Sequence, residues 1–196
     1  MIETRKQLRQ YLKLDGQNFS NLQGLCGVKA WYYKIRCNPI SNNWIIWAYI
    51  KALRHVEYYI NISRGGVMQK IIYLIPKLYY LHCLRRLSYK TGYQIPPNTC
   101  GPGLRILHYG TIIIHSNVRI GANCTLHTGV LIGLKCGEPL ATIGNNVFIG
   151  AGTKIIGNVT IGDDVVIGQN CVIVKDVPTG SVVVNKSAST IINHRK

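Results

Sequence analysis

Acidic side chains are scarce in this chain of 196 residues: seven Asp and Glu stand against 23 Lys and Arg, for a formal charge of +16. Three anionic partners fit that imbalance: nucleic acid, an acidic membrane surface or a small anion. No nucleic-acid-binding motif accompanies the charge, so nucleic acid is not expected. Long hydrophobic runs are also missing, and none reaches the roughly 18 to 20 residues of a membrane-spanning helix. The seven cysteines are odd in number, scattered and never paired as CxxC. That pattern speaks against a disulfide framework or a zinc site, and for reduced thiols in the cytoplasm. No cleavable signal peptide is read at the start of the sequence.

What is present divides unevenly. Residues 1–93 carry 15 Lys and Arg against three acids, whereas residues 94–196 carry eight against four. A hydrophobic content of 47% argues against disorder, and 20 glycines without a triplet period point to a turn-rich fold.

The front half reads as helical. "TRKQLRQYLKLDG" predicts a short basic helix ending near Gly16, and "NNWIIWAYIKALRHVEYYIN" predicts a second from Asn42 to Asn61, with an Asn as its cap. "GVMQKIIYLIPKLYYLHCLRRLSYKTG" predicts a third, continuing to about Lys90 and kinked or split at Pro76. Trp, Tyr and Lys/Arg together suit helices lying in lipid headgroups. The reading preferred is the plainer one, of aromatics packed on the rest of the protein beneath a solvated basic face.

The back half changes period. From Ile114 it reads IHSNVR, IGANCT and LHTGVL, and from Ile143 it resumes as IGNNVF, IGAGTK, IIGNVT, IGDDVV, IGQNCV and IVKDVP. An aliphatic residue heads every unit, and a small or β-branched residue such as Val118, Cys124 or Val165 fills the fifth place. A six-residue period belongs neither to an α-helix nor to simple strand alternation, but to a parallel β-helix with three units per coil. Ile114 should therefore stack below Ile132. The irregular stretch between Ile132 and Ile143 holds five extra residues, read as a loop over 133–142. The expected organisation is a helical region over 1–91, a β-helix over 92–185 and a tail over 186–196.

This pattern, with "IPPNTCGPGLRILHYGTIII" ahead of it, resembles the hexapeptide-repeat acyltransferases with a left-handed β-helix. The branch is the serine acetyltransferase-like one, which includes polysaccharide O-acetyltransferases. The resemblance implies an acetyl-CoA-dependent enzyme, a homotrimer, and a histidine acting as general base in a cleft between subunits. The matching residue is His108 in "LHYGTIII". A hydroxyl attacks a thioester poorly unless a positioned neutral imidazole takes its proton, which suits that role near pH 7.

Serine acetyltransferases carry an Asp where Leu107 stands, another near Gln94, and an Arg-His pair where this chain has "EPLAT". Those departures weigh against serine and lead to the expectation of a sugar hydroxyl on a polysaccharide or lipid-linked precursor. Serine is the alternative acceptor. A non-enzymatic scaffold and a metal-dependent hydro-lyase built from histidines are the alternatives of another class, with no metal expected in the main reading.

Tyr109 and His127 are assigned to the acceptor side, His127 lying 19 residues after His108 and so one coil along. His115 falls on the next face of the prism. Ala151, Gly152 and Gly168 are expected to line the acetyl-CoA path, because small residues admit a pantetheine arm. Lys154 and Lys175 are the candidates for its phosphates. Counting back six residues from Ile114 sets His108 at a core-heading position, where Gly110 would have to permit a distortion that turns the ring outward. The basic front half adds an expected peripheral contact with an anionic membrane at the inner face.

Overall fold

The computed structural model describes residues 1–22, 43–63, 66–133 and 141–185. Helix α1 (Arg5–Gly16) starts at Thr4, whose hydroxyl accepts from the Gln7 amide while the Gln7 side chain accepts from the Thr4 amide. This reciprocal cap satisfies two N–H groups that the first turn leaves without partners. A short 3-10 segment follows over Gln17–Leu22. Helix α2 (Asn43–Ile62) is buried along one side through Ile46, Trp47, Tyr49, Ile50, Leu53 and Val56. Its expected cap, Asn42, lies outside the described residues. The third predicted helix is split into α3 (Val67–Ile72) and α4 (Leu74–Thr91). The break falls at Tyr73, ahead of Pro76, so the proline stands in the first turn of α4, where its missing N–H costs no intrahelical bond. Gly92 then ends α4 in the left-handed conformation.

Among the described residues thirteen short strands follow, β1 (Tyr93–Gln94) to β13 (Val182–Val183), wound into a parallel β-helix with three faces. The first face stacks β1, β3 (Ile112–Ile114), β6 (Leu131–Gly133), β9 (Lys154–Ile156) and β12 (Val172–Ile173). The second stacks β4 (Arg119–Ile120), β7 (Thr142–Ile143) and β10 (Thr160–Ile161). The third stacks β2 (Arg105–Ile106), β5 (Thr125–Leu126), β8 (Phe148–Ile149), β11 (Val166–Ile167) and β13. Ile114 pairs with Ile132, and Ile132 with Ile155, as the six-residue period requires. The second of these steps is five residues longer than the first; of the loop expected over 133–142, Gly133 ends β6 and Thr142 opens β7, and residues 134–140 are outside the described ones.

The repeat follows from burial. Ile106, Leu126, Ile149 and Ile167 form one column, Ile114, Ile132, Ile155 and Ile173 another, and all are buried. Each such side chain removed from water stabilises the fold by about 1.5–3 kcal/mol. Turns between the second and third faces are made by Asn123, Asn146 and Asp164, each at a φ near +56° or +57°. Their side chains form a ladder, Asn123 to Asn146 at 3.2 Å and Asn146 to Asp164 at 2.9 Å. Short polar residues tolerate this conformation because they bond locally.

One core joins helices and solenoid, with Phe19, Trp47, Tyr49 and Leu53 packed against the first coils. Beneath α2 the fully buried Arg54 holds the two parts together. Its guanidinium donates to Asp15 (2.7 and 3.3 Å), Glu57 (2.9 Å) and the carbonyls of Cys100 (2.8 Å) and Gly101 (2.6 Å). Burial alone would weaken its charge, but the Glu57 and Asp15 carboxylates outweigh that and hold its pKa above the ordinary value.

Candidate functional site

Three corners run along the prism, and the one between the third and first faces carries the histidine pair. After β2 come Leu107, His108, Tyr109 and Gly110; after β5, His127, Thr128 and Gly129; after β8, Gly150, Ala151 and Gly152; after β11, Gly168, Gln169 and Asn170. Amide-to-carbonyl bonds tie these turns together, Gly152 to Thr128 at 2.9 Å and Asn170 to Ala151 at 2.8 Å.

His108 is exposed and stands outside the core. The count of six back from Ile114 is corrected: the core position belongs to Ile106, which pairs with Leu126 at a spacing of 20 residues rather than 18. The two surplus residues bulge out and carry the imidazole with them. Gly110 makes the bulge possible at φ +135°, and a Cβ there would come within 2.1 Å of Thr128 Oγ1.

His127 is half-buried between two rings. Its centroid lies 5.5 Å from that of His108 and 5.8 Å from that of Phe148, which meets it edge-on. Burial, and after it the like charge of His108, lower the His127 pKa below the ordinary histidine value. Near pH 7 it is therefore a neutral ring, able to accept one hydrogen bond and donate another. Tyr109, beside His108, is exposed.

His115 sits apart, on the corner between the first and second faces, where its Nδ1 accepts from the Asn117 amide at 3.3 Å. Lys175 is on that same corner, two residues after β12. Lys154 is already engaged, its ammonium donating to the carbonyls of Gly129 (3.0 Å) and Gly152 (3.1 Å). Ala151, Gly152 and Gly168 lie on the histidine corner, one and two coils beyond His127. Stacking accounts for Gly152: it adopts φ +73°, and a Cβ would come within 2.1 Å of Asn170 Oδ1.

Sequence reasoning missed Tyr93. Its ring is fully buried, and its hydroxyl donates to the His108 carbonyl at 2.9 Å. The signal was the 20-residue spacing from Ile106 to Leu126, which marks a bulge that something must hold. Gln94 is exposed beside it and lines a groove of about 680 Å³ with Leu78, His82, Arg85 and Tyr89 of α4. Among the described residues, no cluster of three or more His, Cys, Asp or Glu is arranged to hold a metal ion.

Comparison with known proteins agrees with the fold. Residues 141–175 match the bacterial transferase hexapeptide (six repeats), and residues 111–137 the hexapeptide repeat of succinyl-transferase. A serine acetyltransferase of Helicobacter pylori (strain ATCC 700392 / 26695) is 36% identical over 110 residues, covering 54% of this chain and 64% of its own length. One from Synechococcus elongatus is 37% identical over 95 residues, 46% of this chain and 37% of its own. The chain thus spans less than two thirds of these relatives.

In structure, serine acetyltransferase isoform 3 of Entamoeba histolytica in complex with cysteine superposes with a TM-score of 0.65 at 24% identity. It covers 96% of this chain and 62% of that one. The serine acetyltransferase of Neisseria gonorrhoeae in complex with serine gives 0.60 at 24% identity, covering 94% and 69%. These two establish the fold.

The expectation of a polysaccharide acceptor is corrected by the relatives. They are serine acetyltransferases, although Leu107 and Gln94 replace the two carboxylates on which that expectation turned. In its repeats and its relatives, the chain is similar to the serine acetyltransferase-like branch of the hexapeptide-repeat proteins.

Proposed function

We propose that the protein is an acetyl-CoA-dependent O-acetyltransferase whose acceptor is the hydroxyl of serine. The observation that carries the reading is the exposed His108 imidazole, its centroid 5.5 Å from that of His127 on the same corner of the prism. The serine acetyltransferases among the relatives supply the acceptor.

In this reading the His108 imidazole takes the serine hydroxyl proton as the oxygen bonds to the thioester carbonyl carbon. The carbon–sulfur bond then breaks, the proton passes to the departing CoA sulfur, and the products are O-acetylserine and free CoA. His127 accepts or donates at the acceptor. The acyl-CoA arm runs over Ala151, Gly152 and Gly168, and Lys175 meets its phosphates from a neighbouring subunit.

The proposed assembly is a homotrimer. Outward positions on the two faces beside the histidine corner are Gln94, Ile113, Leu131, Lys154 and Val172 on one and Arg105, Thr125, Phe148, Val166 and Val182 on the other. The remaining face presents Arg119, Thr142 and Thr160. The apolar members of these two rows, meeting around the corner, would enclose the site between subunits. Thiol release from acetyl-CoA in the presence of L-serine tests the activity. Turnover that needs serine and is lost in His108→Ala supports it, and absence of turnover by intact trimer refutes it.

A peripheral contact with anionic membrane is proposed for α3 and α4, on a specific observation. Val67, Met68, Ile71, Ile72, Ile75 and Leu78 are all more than half exposed. The same two helices carry Lys70, Lys77, Arg85, Arg86 and Lys90 and no acid. By contrast, the Trp47, Tyr49 and Tyr58 rings of α2 are buried, so the lipid reading of the front half is confined to α3 and α4. No described helix is long and apolar enough to cross a membrane. Sedimentation with phosphatidylglycerol vesicles, sensitive to salt and lost in Ile71→Asp/Ile75→Asp, is the expected result. Equal recovery with neutral vesicles, or none with either, would remove the contact.

A further inference from the structure

We infer that Tyr93 is a positioning residue for His108: its hydroxyl fixes the bulge that carries the imidazole out of the core. The inference rests on His108 being the base. It adds that the base is held through its main chain, from inside the solenoid.

The bulge is tied at both ends and held in the middle. At its start the Leu107 amide donates to Leu126, and at its end the Gly110 amide donates to the Thr91 carbonyl at 2.9 Å. Between them, the Tyr93 hydroxyl reaches the His108 carbonyl at 2.9 Å. A peptide plane free to turn at that carbonyl would swing the imidazole with it. Displacement of a base by about 1 Å costs up to about a hundredfold in rate.

Tyr93 is itself held on several sides. Its ring is fully buried and meets Tyr49 of α2 edge-on, with centroids 5.0 Å apart. The Tyr49 hydroxyl in turn accepts from the Ile95 amide at 3.3 Å. From α4, the Ser88 hydroxyl donates to the Tyr93 carbonyl. Gly92 also packs on the bulge, since a Cβ there would lie 3.2 Å from the Gly110 carbonyl carbon. Two helices and the first coil therefore converge on one phenol. Burial, and then the neighbouring Tyr49 phenol, push its pKa above the usual range, so the hydroxyl keeps the proton it donates.

Tyr93→Phe keeps the ring and its packing and removes only the donor. Expected is a fall in kcat of about tenfold to a hundredfold with KM for acetyl-CoA unchanged. The His108 imidazole signal, followed by NMR in selectively labelled protein, should broaden or shift. Val159→Ala, which loosens the core on another face, should leave kcat and that signal as they are, separating positioning from general loss of stability. Wild-type kcat with an unmoved His108 signal in Tyr93→Phe overturns the inference. Should the wild type fail to acetylate serine, the reading of the acceptor falls, while the NMR comparison still decides whether Tyr93 holds His108.

Discussion

His108 and His127 face each other from adjacent coils, their ring planes inclined by 45° and their centroids 5.5 Å apart. Two causes lower the His127 pKa, burial first and the His108 charge second. Replacing His108 by Gln removes the second and largely keeps the first. The His127 midpoint, read from its imidazole NMR signals, should therefore rise in His108→Gln and still stay below the ordinary value near 6.5. A midpoint that does not move would remove the coupling. The sign for folding follows: a histidine depressed in the fold favours the native state above its unfolded pKa. That contribution fades as pH falls through about 6.5 toward the folded value. His127→Gln should accordingly lose less stability than wild type on acidification through that window.

Arg54 is the point where helices and solenoid meet, and its value lies in balance. Removing it leaves the buried Asp15 and Glu57 carboxylates facing each other's surroundings without a cation. Arg54→Met should cost about 3–5 kcal/mol in chemical denaturation, as for other buried pairs broken from one side. The triple variant Arg54→Met/Asp15→Asn/Glu57→Gln should be less destabilised than Arg54→Met alone, because no unpaired charge remains. A triple variant at least as unstable as the single would show that the hydrogen bonds to Cys100 and Gly101 carry the stability instead.

The solenoid was legible because its cause is periodic: one aliphatic per six residues registers in the sequence as plainly as it packs in the core. Ile114 on Ile132 follows from counting alone. His108 was legible as a type of residue in a motif, but its direction was not, since a two-residue bulge interrupts the count on which direction depends. Tyr93 and Arg54 were invisible for another reason. Their partners, the His108 carbonyl and Asp15, are 15 and 39 residues away and belong to different elements. No local pattern records contacts that only the docking of α1, α2 and α4 creates. The acceptor was misjudged by weighing absent carboxylates at Leu107 and Gln94 above the similarity of the repeats as a whole.

His115 offers a negative control drawn from geometry. It lies on a different corner from the histidine pair, and its Nδ1 accepts the Asn117 amide within its own turn. His115→Asn, which keeps a local acceptor, should retain acetyl transfer within about twofold and lower stability by no more than about 1 kcal/mol. A large loss of kcat with an intact fold would instead bring this corner to the active site across a subunit boundary.

Gly110 links the fold to the proposed chemistry, and its replacement separates two costs. Alanine there meets a backbone at φ +135°, which side chains of L configuration rarely adopt, and a Cβ 2.1 Å from Thr128 Oγ1. Gly180 supplies the comparison: it has φ +72° with nothing within 4 Å of its Cβ direction. Gly180→Ala should cost only the conformational penalty, about 1–2 kcal/mol, or roughly 2–8 °C in Tm for a chain of this size. Gly110→Ala should cost more, because the contact is added to the strain, and it should also depress acetyl transfer, because relief of the contact moves the His108 bulge. Adding Thr128→Ala removes the hydroxyl but leaves the dihedral angle, so the double variant should regain part of the lost Tm and not all of it. Calorimetry on the wild type and the three variants, with thiol release measured in parallel, checks the scheme. If Gly110→Ala melts no lower than Gly180→Ala and turns over as the wild type does, the bulge is not held by that glycine.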